Sequence, residues 1–165
     1  VLHNIMKKPL ELCQVKPVVD WLHEAWLFIY GFFVMGMPGE TSEHRKETFE
    51  FIREIDIDWA GLAMAMPLRG SKLYEDCVKN EWIPKKEIGY AYSKEYIINI
   101  PGIDSKKIGE EVYAFNIWYN FHVNRRMRIG DFKTAAACFE EILERWPKHR
   151  EAGECLNICK EKMVQ

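Results

Sequence analysis

The apolar positions of this chain change period several times, and each change predicts an element. Residues 1–8 read as a short helical piece closed before Pro9. Val15, Val18, Val19 and Leu22 then recur at helical spacing, while Asp20, His23 and Glu24 fall elsewhere; this predicts an amphipathic helix over residues 14–25. Pro17 is tolerated in its first turn. Residues 27–35 are apolar almost without a break, the pattern of a strand buried on both faces. Helical spacing returns after Thr41, with Phe49, Ile52 and Ile55 on one side and Glu43, Lys46, Glu47, Glu50 and Arg53 on the other. Thr41 is the expected N-cap, Glu43 opposes the helix dipole, and the helix should run to about residue 55. A second apolar run, residues 59–66, is rich in small side chains and suits a crowded interior strand. Pro67 and Gly70 close it, and another helix is expected over residues 71–79.

The order helix, strand, helix, strand, helix repeats a βα unit, which implies parallel neighbours joined by right-handed crossovers. Residues 80–109 lose all period around Pro84, Gly89, Pro101 and Gly102, apart from a short extended stretch at 96–100. Two further helices are expected over residues 111–128 and 132–146, broken at Gly130-Asp131, and a third over 150–163 after Pro147. The expected fold class is therefore α/β: residues 1–79 as βα units of a parallel sheet, 80–110 as an irregular connector, and 111–165 as a helical appendage. Two strands cannot close a barrel, which needs roughly 250 residues in its full form. Exposed strand edges should pair with the rest of the protein's own barrel, a partner chain or a symmetry mate.

With 165 residues, 48% apolar content and a formal charge of −2, the composition is that of a globular chain and argues against general nucleic-acid binding. The longest apolar stretch, residues 26–37, is too short to span a bilayer, and no signal peptide is visible. Five scattered cysteines, an odd number without scaffold spacing, point to a reducing cytoplasm. The chain opens on Val1, within what already reads as helix, and a fragment is expected.

The strand-to-helix corner carries the chemistry. Gly31-Phe32-Phe33-Val34-Met35-Gly36-Met37-Pro38-Gly39-Glu40-Thr41 places a glycine turn at the C-terminal end of a strand, where parallel α/β folds bind ligands. Taken alone, those glycines answer only to backbone shape. Together with the opening Val1-Leu2-x-x-Ile5-Met6-x-Lys8, with Glu47-Thr48-x-Glu50-Phe51, with residues 58–66 and with Pro67-Leu68-Arg69-Gly70-Ser71-x-Leu73-Tyr74-Glu75, the segment resembles the radical S-adenosylmethionine superfamily, most closely its cobalamin-binding branch. The resemblance implies that the two strands are the fifth and sixth of a (βα)₆ partial barrel. It further implies that Val34, Gly36, Met37, Pro38, Met64, Met66 and Pro67 line the pocket for S-adenosylmethionine. The activity implied is reductive cleavage of that cofactor to a 5′-deoxyadenosyl radical and hydrogen abstraction from a substrate, with methyl transfer or cyclisation to follow in the cobalamin branch. Trp26 stands where the family usually ends a helix with glycine, and Arg69 and Lys72 stand where prolines are common.

The family's [4Fe–4S] cluster needs three thiolates on one short loop, Cys-x₃-Cys-x₂-Cys. Cys155 and Cys159 have the first spacing, but Lys162 holds the third position and the segment is helical. These two are read as buried structural thiols, and the cluster loop is expected upstream of Val1. No catalytic or metal-ligating residue is therefore expected here, the isolated chain should be inactive, and neither S-adenosylmethionine, cluster nor cobalamin should stay bound to it alone.

Gly130-Asp131-Phe132-x-x-Ala135-x-x-x-Phe139-x-x-Ile142-Leu143-x-x-Trp146-Pro147 resembles the second half of a tetratricopeptide repeat, although Val123 replaces a usual glycine in the preceding helix. A single repeat cannot bury its own face, so docking against the barrel is expected, with a helical interaction module as the alternative. Asn124-Arg125-Arg126-Met127-Arg128 reads as a solvated helix end balanced by Glu140, Glu141 and Glu144. His3, His23, His44, His122 and His149 lack ligand spacing for zinc. Glu40 is the best single polar candidate at the strand mouth, placed to cap the next helix or orient a substrate, with capping the expectation.

Overall fold

The computed structural model describes residues 9–83, 98–101 and 103–164. The opening helical piece at 1–8, most of the connector and the start of the extended stretch at 96–100 lie outside the described residues. A single 3₁₀ turn, Leu12–Gln14, leads into α1 (Val15–Glu24), followed by β1 (Tyr30–Met35), α2 (Ser42–Ile55), β2 (Trp59–Met64) and α3 (Lys72–Lys79). After the connector come α4 (Ser105–Ile117), a π-helical turn (Trp118–His122), the short α5 (Arg125–Arg128), α6 (Phe132–Arg145) and α7 (Arg150–Val164). The class is α/β: one parallel pair, in register from Tyr30↔Trp59 to Met35↔Met64, with helices around it.

Alternation along the pair divides its two faces. Gly31, Phe33 and Met35 lie in register with Ala60, Leu62 and Met64. This face carries the main core, where Met35, Ala60 and Leu62 pack with Val19 of α1, Ile52 and Ile55 of α2, and Val112 and Phe115 of α4. The other face is apolar but left open by the described residues: Phe32 is 81% exposed, and Tyr30, Val34 and Ala63 are exposed beside it. The continuous apolar run at 27–35 thus becomes one helix-covered face and one uncovered face.

Two local features follow from the sequence in detail. Thr41 caps α2 by accepting the His44 N–H, and His44 Nδ1 accepts the Thr41 N–H in return, a reciprocal capping box. Trp26, at the position expected to favour glycine, has φ 60 and ends α1, with the Trp26 N–H bonded to the His23 carbonyl and Leu27 N–H to Leu22.

The helical part begins earlier than its pattern predicts. Asp104 caps α4 through the Lys107 N–H, so the helix starts at Ser105, six residues ahead of Glu111, in a stretch whose lysines hid the period. The break falls at Val123-Asn124, not only at Gly130. α6 and α7 pack through Ala135, Ala136, Phe139, Ala152, Leu156 and the two cysteines, and Trp59 of β2 joins this second core through an edge-to-face contact with Phe121 at 5.5 Å. The helical pair therefore docks on the sheet, its inner face filled by strand and α4 residues.

Candidate functional site

The two strand ends meet at one place. The Ala65 N–H donates to the Met35 carbonyl at 2.7 Å, extending the pairing one residue past β2. Gly36 (φ 77) and Gly39 (φ 84) take left-handed conformations that other residues adopt only at a cost. They fold the chain back so that the Glu40 N–H reaches the Met37 carbonyl at 2.9 Å. Glu40 is 6% exposed, and its Oε2 accepts the Gly36 N–H at 2.6 Å. The cap of α2 belongs to Thr41 and His44, so Glu40 serves the strand-end turn and not the helix. Burial pushes the Glu40 carboxyl up from its ordinary value; the Gly36 hydrogen bond and the Arg45 charge pull against that rise.

The residues expected to line a cofactor pocket spread around this corner. Val34 lies on the uncovered sheet face, opposite Ala63. Gly36, Met37 and Pro38 form the turn, with Met37 packed toward a small cluster of Ala65, Cys77 and Ile98. Met66 is half-buried beyond the end of β2, and Pro67 is fully buried. Met64 is in register with Met35 and packs against the helix-covered core, so its side chain backs the sheet on the opposite side from Val34.

The opposite, N-terminal ends of the strands hold an ion network. Asp58, fully buried, accepts the Ile29 N–H at 2.8 Å and faces Arg126 Nε at 2.5 Å, Arg125 Nη1 at 3.3 Å and His23 Nε2 at 3.4 Å. Arg126 also donates to the Leu27 carbonyl and to Asp131, both at 3.1 Å. Arg128 pairs with Asp56. The basic cluster expected to be a solvated helix end is thus a clasp: Arg126 is 5% exposed and meets Asp58 and Asp131, while Asp56 pairs with Arg125 and Arg128. No local pattern marks these partners, because Asp58 lies 68 residues upstream of Arg126.

A further device seals β2. Asn120 accepts the Ala60 N–H at 2.8 Å and donates to the Ala60 carbonyl at 2.7 Å. Asn116 does the same for Leu62, at 3.1 Å in both directions. Two amides four residues apart on a helix rise about 6 Å, close to the roughly 6.6 Å between alternate strand residues, so the helix imitates the next strand. The edge of β2 is closed by α4 and the π-helical turn that follows it. On β1 the outward backbone groups belong to Tyr30, Phe32 and Val34, beside exposed side chains.

Cysteines are dispersed. Cys13 is exposed, Cys77, Cys155 and Cys159 are buried, and Cys138 is half-buried. Cys155 donates to the Phe121 carbonyl at 3.6 Å, and burial pushes its thiol up to about 11. Among the described residues no three metal-ligating side chains converge, and no helix is long and apolar enough to cross a membrane.

The chain is 29% identical over 133 residues to the cytidylyl-2-hydroxyethylphosphonate methyltransferase of Streptomyces wedmorensis, a match that covers 76% of this chain and 25% of that protein. It is 37% identical over 54 residues to an uncharacterized methyltransferase of Pyrococcus horikoshii, covering 33% of this chain and 12% of that relative. The chain thus spans a minor part of the length of each of these curated relatives. No family model matches, and no solved structure matches significantly.

Proposed function

We propose that this chain is the C-terminal part of a radical S-adenosylmethionine methyltransferase barrel, with β1 and β2 as its last two strands. The observation that carries this reading is the corner itself: two parallel strand ends joined by Ala65 and Met35, a double-glycine turn, and an apolar sheet face that the described residues leave open. Similarity to proteins named as methyltransferases adds the reaction class. In the cobalamin branch that class includes methyl transfer and cyclisation. The substrate belongs to parts of the protein other than this corner.

The residues present fit one cofactor and not another. Val34 and the turn at 36–38 offer apolar side chain and close-approaching backbone to the adenosine and methionine portions of S-adenosylmethionine, with the 66–67 segment beside them. When bound, that cofactor is the source of the methyl or 5′-deoxyadenosyl group. The chain's own residues do the rest: Gly36 and Gly39 shape the turn, Glu40 holds it, and Val34 and Met66 exclude water. A [4Fe–4S] cluster does not fit. The dispersed thiols, three of them buried, cannot supply three thiolates to one site, and no step through a cluster is assigned to this chain. Cobalamin likewise has no assigned ligand here. The open edge of β1 and the uncovered face are, on this reading, covered by preceding βα units of the same barrel. The alternative, a tetratricopeptide-like module that recruits a partner, loses ground because Trp59 and Phe121 fill the inner face of α6 and α7.

Titrating the labelled chain with S-adenosylmethionine and following amide shifts tests the reading. Small, fast-exchanging changes confined to the amides of residues 34–37 and 63–66 are expected at millimolar cofactor, as for a half-site that does not retain it. No change there at saturation, or changes centred on α6 and α7, would refute it. Iron–sulfur reconstitution is the second arm: a stoichiometric cluster on this chain that responds to the cofactor would overturn the division of labour.

A further inference from the structure

Glu40, Arg45 and Glu111 come from three separate elements and meet at the C-terminal end of β1. Glu40 follows the glycine turn, Arg45 sits in the first turn of α2, and Glu111 lies on α4. The Glu40 oxygen that accepts the Gly36 N–H is also the one 3.9 Å from Arg45 Nη1. Arg45 is itself 7% exposed and donates its Nε–H to Glu111 Oε2 at 2.9 Å. Arg45 meets no single counter-charge. Its fork instead spans two carboxylates, one at the strand end and one on the helical part, a task that the single point charge of lysine performs poorly.

We propose that Arg45 is a positioning residue: anchored by Glu111, its guanidinium compensates the Glu40 carboxylate, which in turn holds the Gly36 N–H and fixes the strand-end turn. Each link has a physical reason. A buried carboxylate is costly unless a counter-charge and hydrogen bonds satisfy it. A turn with glycine at both 36 and 39 has little conformational preference of its own, so one strong charge-assisted bond across it decides its shape. The direction of the Glu40 shift agrees: burial raises its carboxyl, and Gly36, Arg45 and His44 lower it. The consequence for a bound cofactor rests on the proposed function, but the relay itself does not.

The Gly36 amide reports the relay directly, with no ligand present. In the ¹⁵N-labelled full chain its shift should titrate with a midpoint above the usual glutamate range, following Glu40. Among the described residues, His44 and Arg45 are the charged or titratable side chains that act on Glu40, and Glu111 acts on it through Arg45. The variant His44→Gln should leave the midpoint in place, and Glu40→Gln should abolish it. Arg45→Met should raise the midpoint by about one pH unit or more, the scale of one lost counter-charge. Arg45→Lys, which keeps the charge and loses the fork to Glu111, should fall between the two and serves if the methionine variant does not fold. A Gly36 amide indifferent to pH in the parent chain, or an unchanged midpoint in Arg45→Lys and Arg45→Met, would overturn the proposal. Failure here leaves the S-adenosylmethionine titration untouched, and failure there leaves the relay standing.

Discussion

Replacing Asn120 tests whether a helix really stands in for a strand at the edge of this sheet. Asn120 is 3% exposed and Ala60 is fully buried. Both backbone groups of Ala60 that point away from β1 are satisfied by this one amide. Asn120→Ala strands a buried N–H and a buried carbonyl, each worth about 1–3 kcal/mol when left unsatisfied. A loss of about 3 kcal/mol is a conservative sum, since water can enter part of the space. It corresponds to roughly a hundredfold change in the folding constant and a fall in Tm of about 6–12 °C for a chain of this size. Urea unfolding followed by circular dichroism should show a lower midpoint at unchanged slope, with light scattering to detect edge-to-edge association. Asn120→Asp adds a sign. Its carboxylate still accepts from the Ala60 N–H but faces the Ala60 carbonyl without a proton to give. The neutral acid restores both bonds, so its folded-state pKa must exceed the unfolded value of about 3.9. Stability relative to the ionised form is then fully present below that value and lost as pH rises through the folded pKa. An Asn120→Ala loss under about 0.5 kcal/mol, or a pH-independent Asn120→Asp, would refute the edge-sealing argument.

Other perturbations reach other parts of the fold. Trp26→Gly should stabilise by about 0.5–1 kcal/mol, because a left-handed residue that is 84% exposed gives up strain and little packing; a lower Tm would show that the indole is held by something. Asp58→Asn leaves the buried Arg126 with Asp131 alone as a counter-charge and should cost about 3 kcal/mol in the same urea assay, whereas a loss below 1 kcal/mol would reduce the clasp to ornament. Thiol labelling of the native chain at pH 8 should modify Cys13 first and Cys155 last, since Cys155 is buried with a thiol near 11 and so holds about one part in a thousand as thiolate; equal rates would contradict the packed second core. Gly31→Ala should destabilise by about 1–3 kcal/mol, because its Cβ would come within 2.5 Å of Ile57 Cδ1, and a neutral result would mean that Ile57 moves freely.

What could be read from the chain divides by range. α2 was legible at both ends, with Thr41 as cap and Ile55 as last residue, because its signals lie within one or two turns of each other. The strands were legible for the same reason, although 27–29 precede β1 and 65–66 follow β2. Trp26 was legible as an oddity before its φ was known. Asn116 and Asn120 were not, since an asparagine on a helix has no local sign that a strand 54 to 60 residues away needs an amide. Arg126 was misread for that reason: nearby glutamates matched its charge, and Asp58 was too far along the chain to be weighed against them. Glu40 was noticed at the mouth but given the wrong partner, because a carboxylate before a helix ordinarily suggests capping and the four-residue reach back to Gly36 does not.

The two ends of the sheet have different chemistries, and the difference bears on function. At the N-terminal ends, Asp58 gathers Ile29, Arg125, Arg126 and His23 and ties the helical part to the strands. At the C-terminal ends the described residues show glycine turns, the Glu40 carboxylate on a backbone amide, and Arg45 reaching α4. Parallel α/β proteins place ligands at this second end and stability at the first. The helical part touches both, through Arg126 below and Glu111 above. If the partition holds, Asp58→Asn should lower the unfolding midpoint while leaving the Gly36 titration where it was, and Arg45→Lys should move that titration at nearly unchanged stability. Variants that moved both quantities together would mean that clasp and turn form one cooperative unit, and that the turn's shape is a by-product of overall packing.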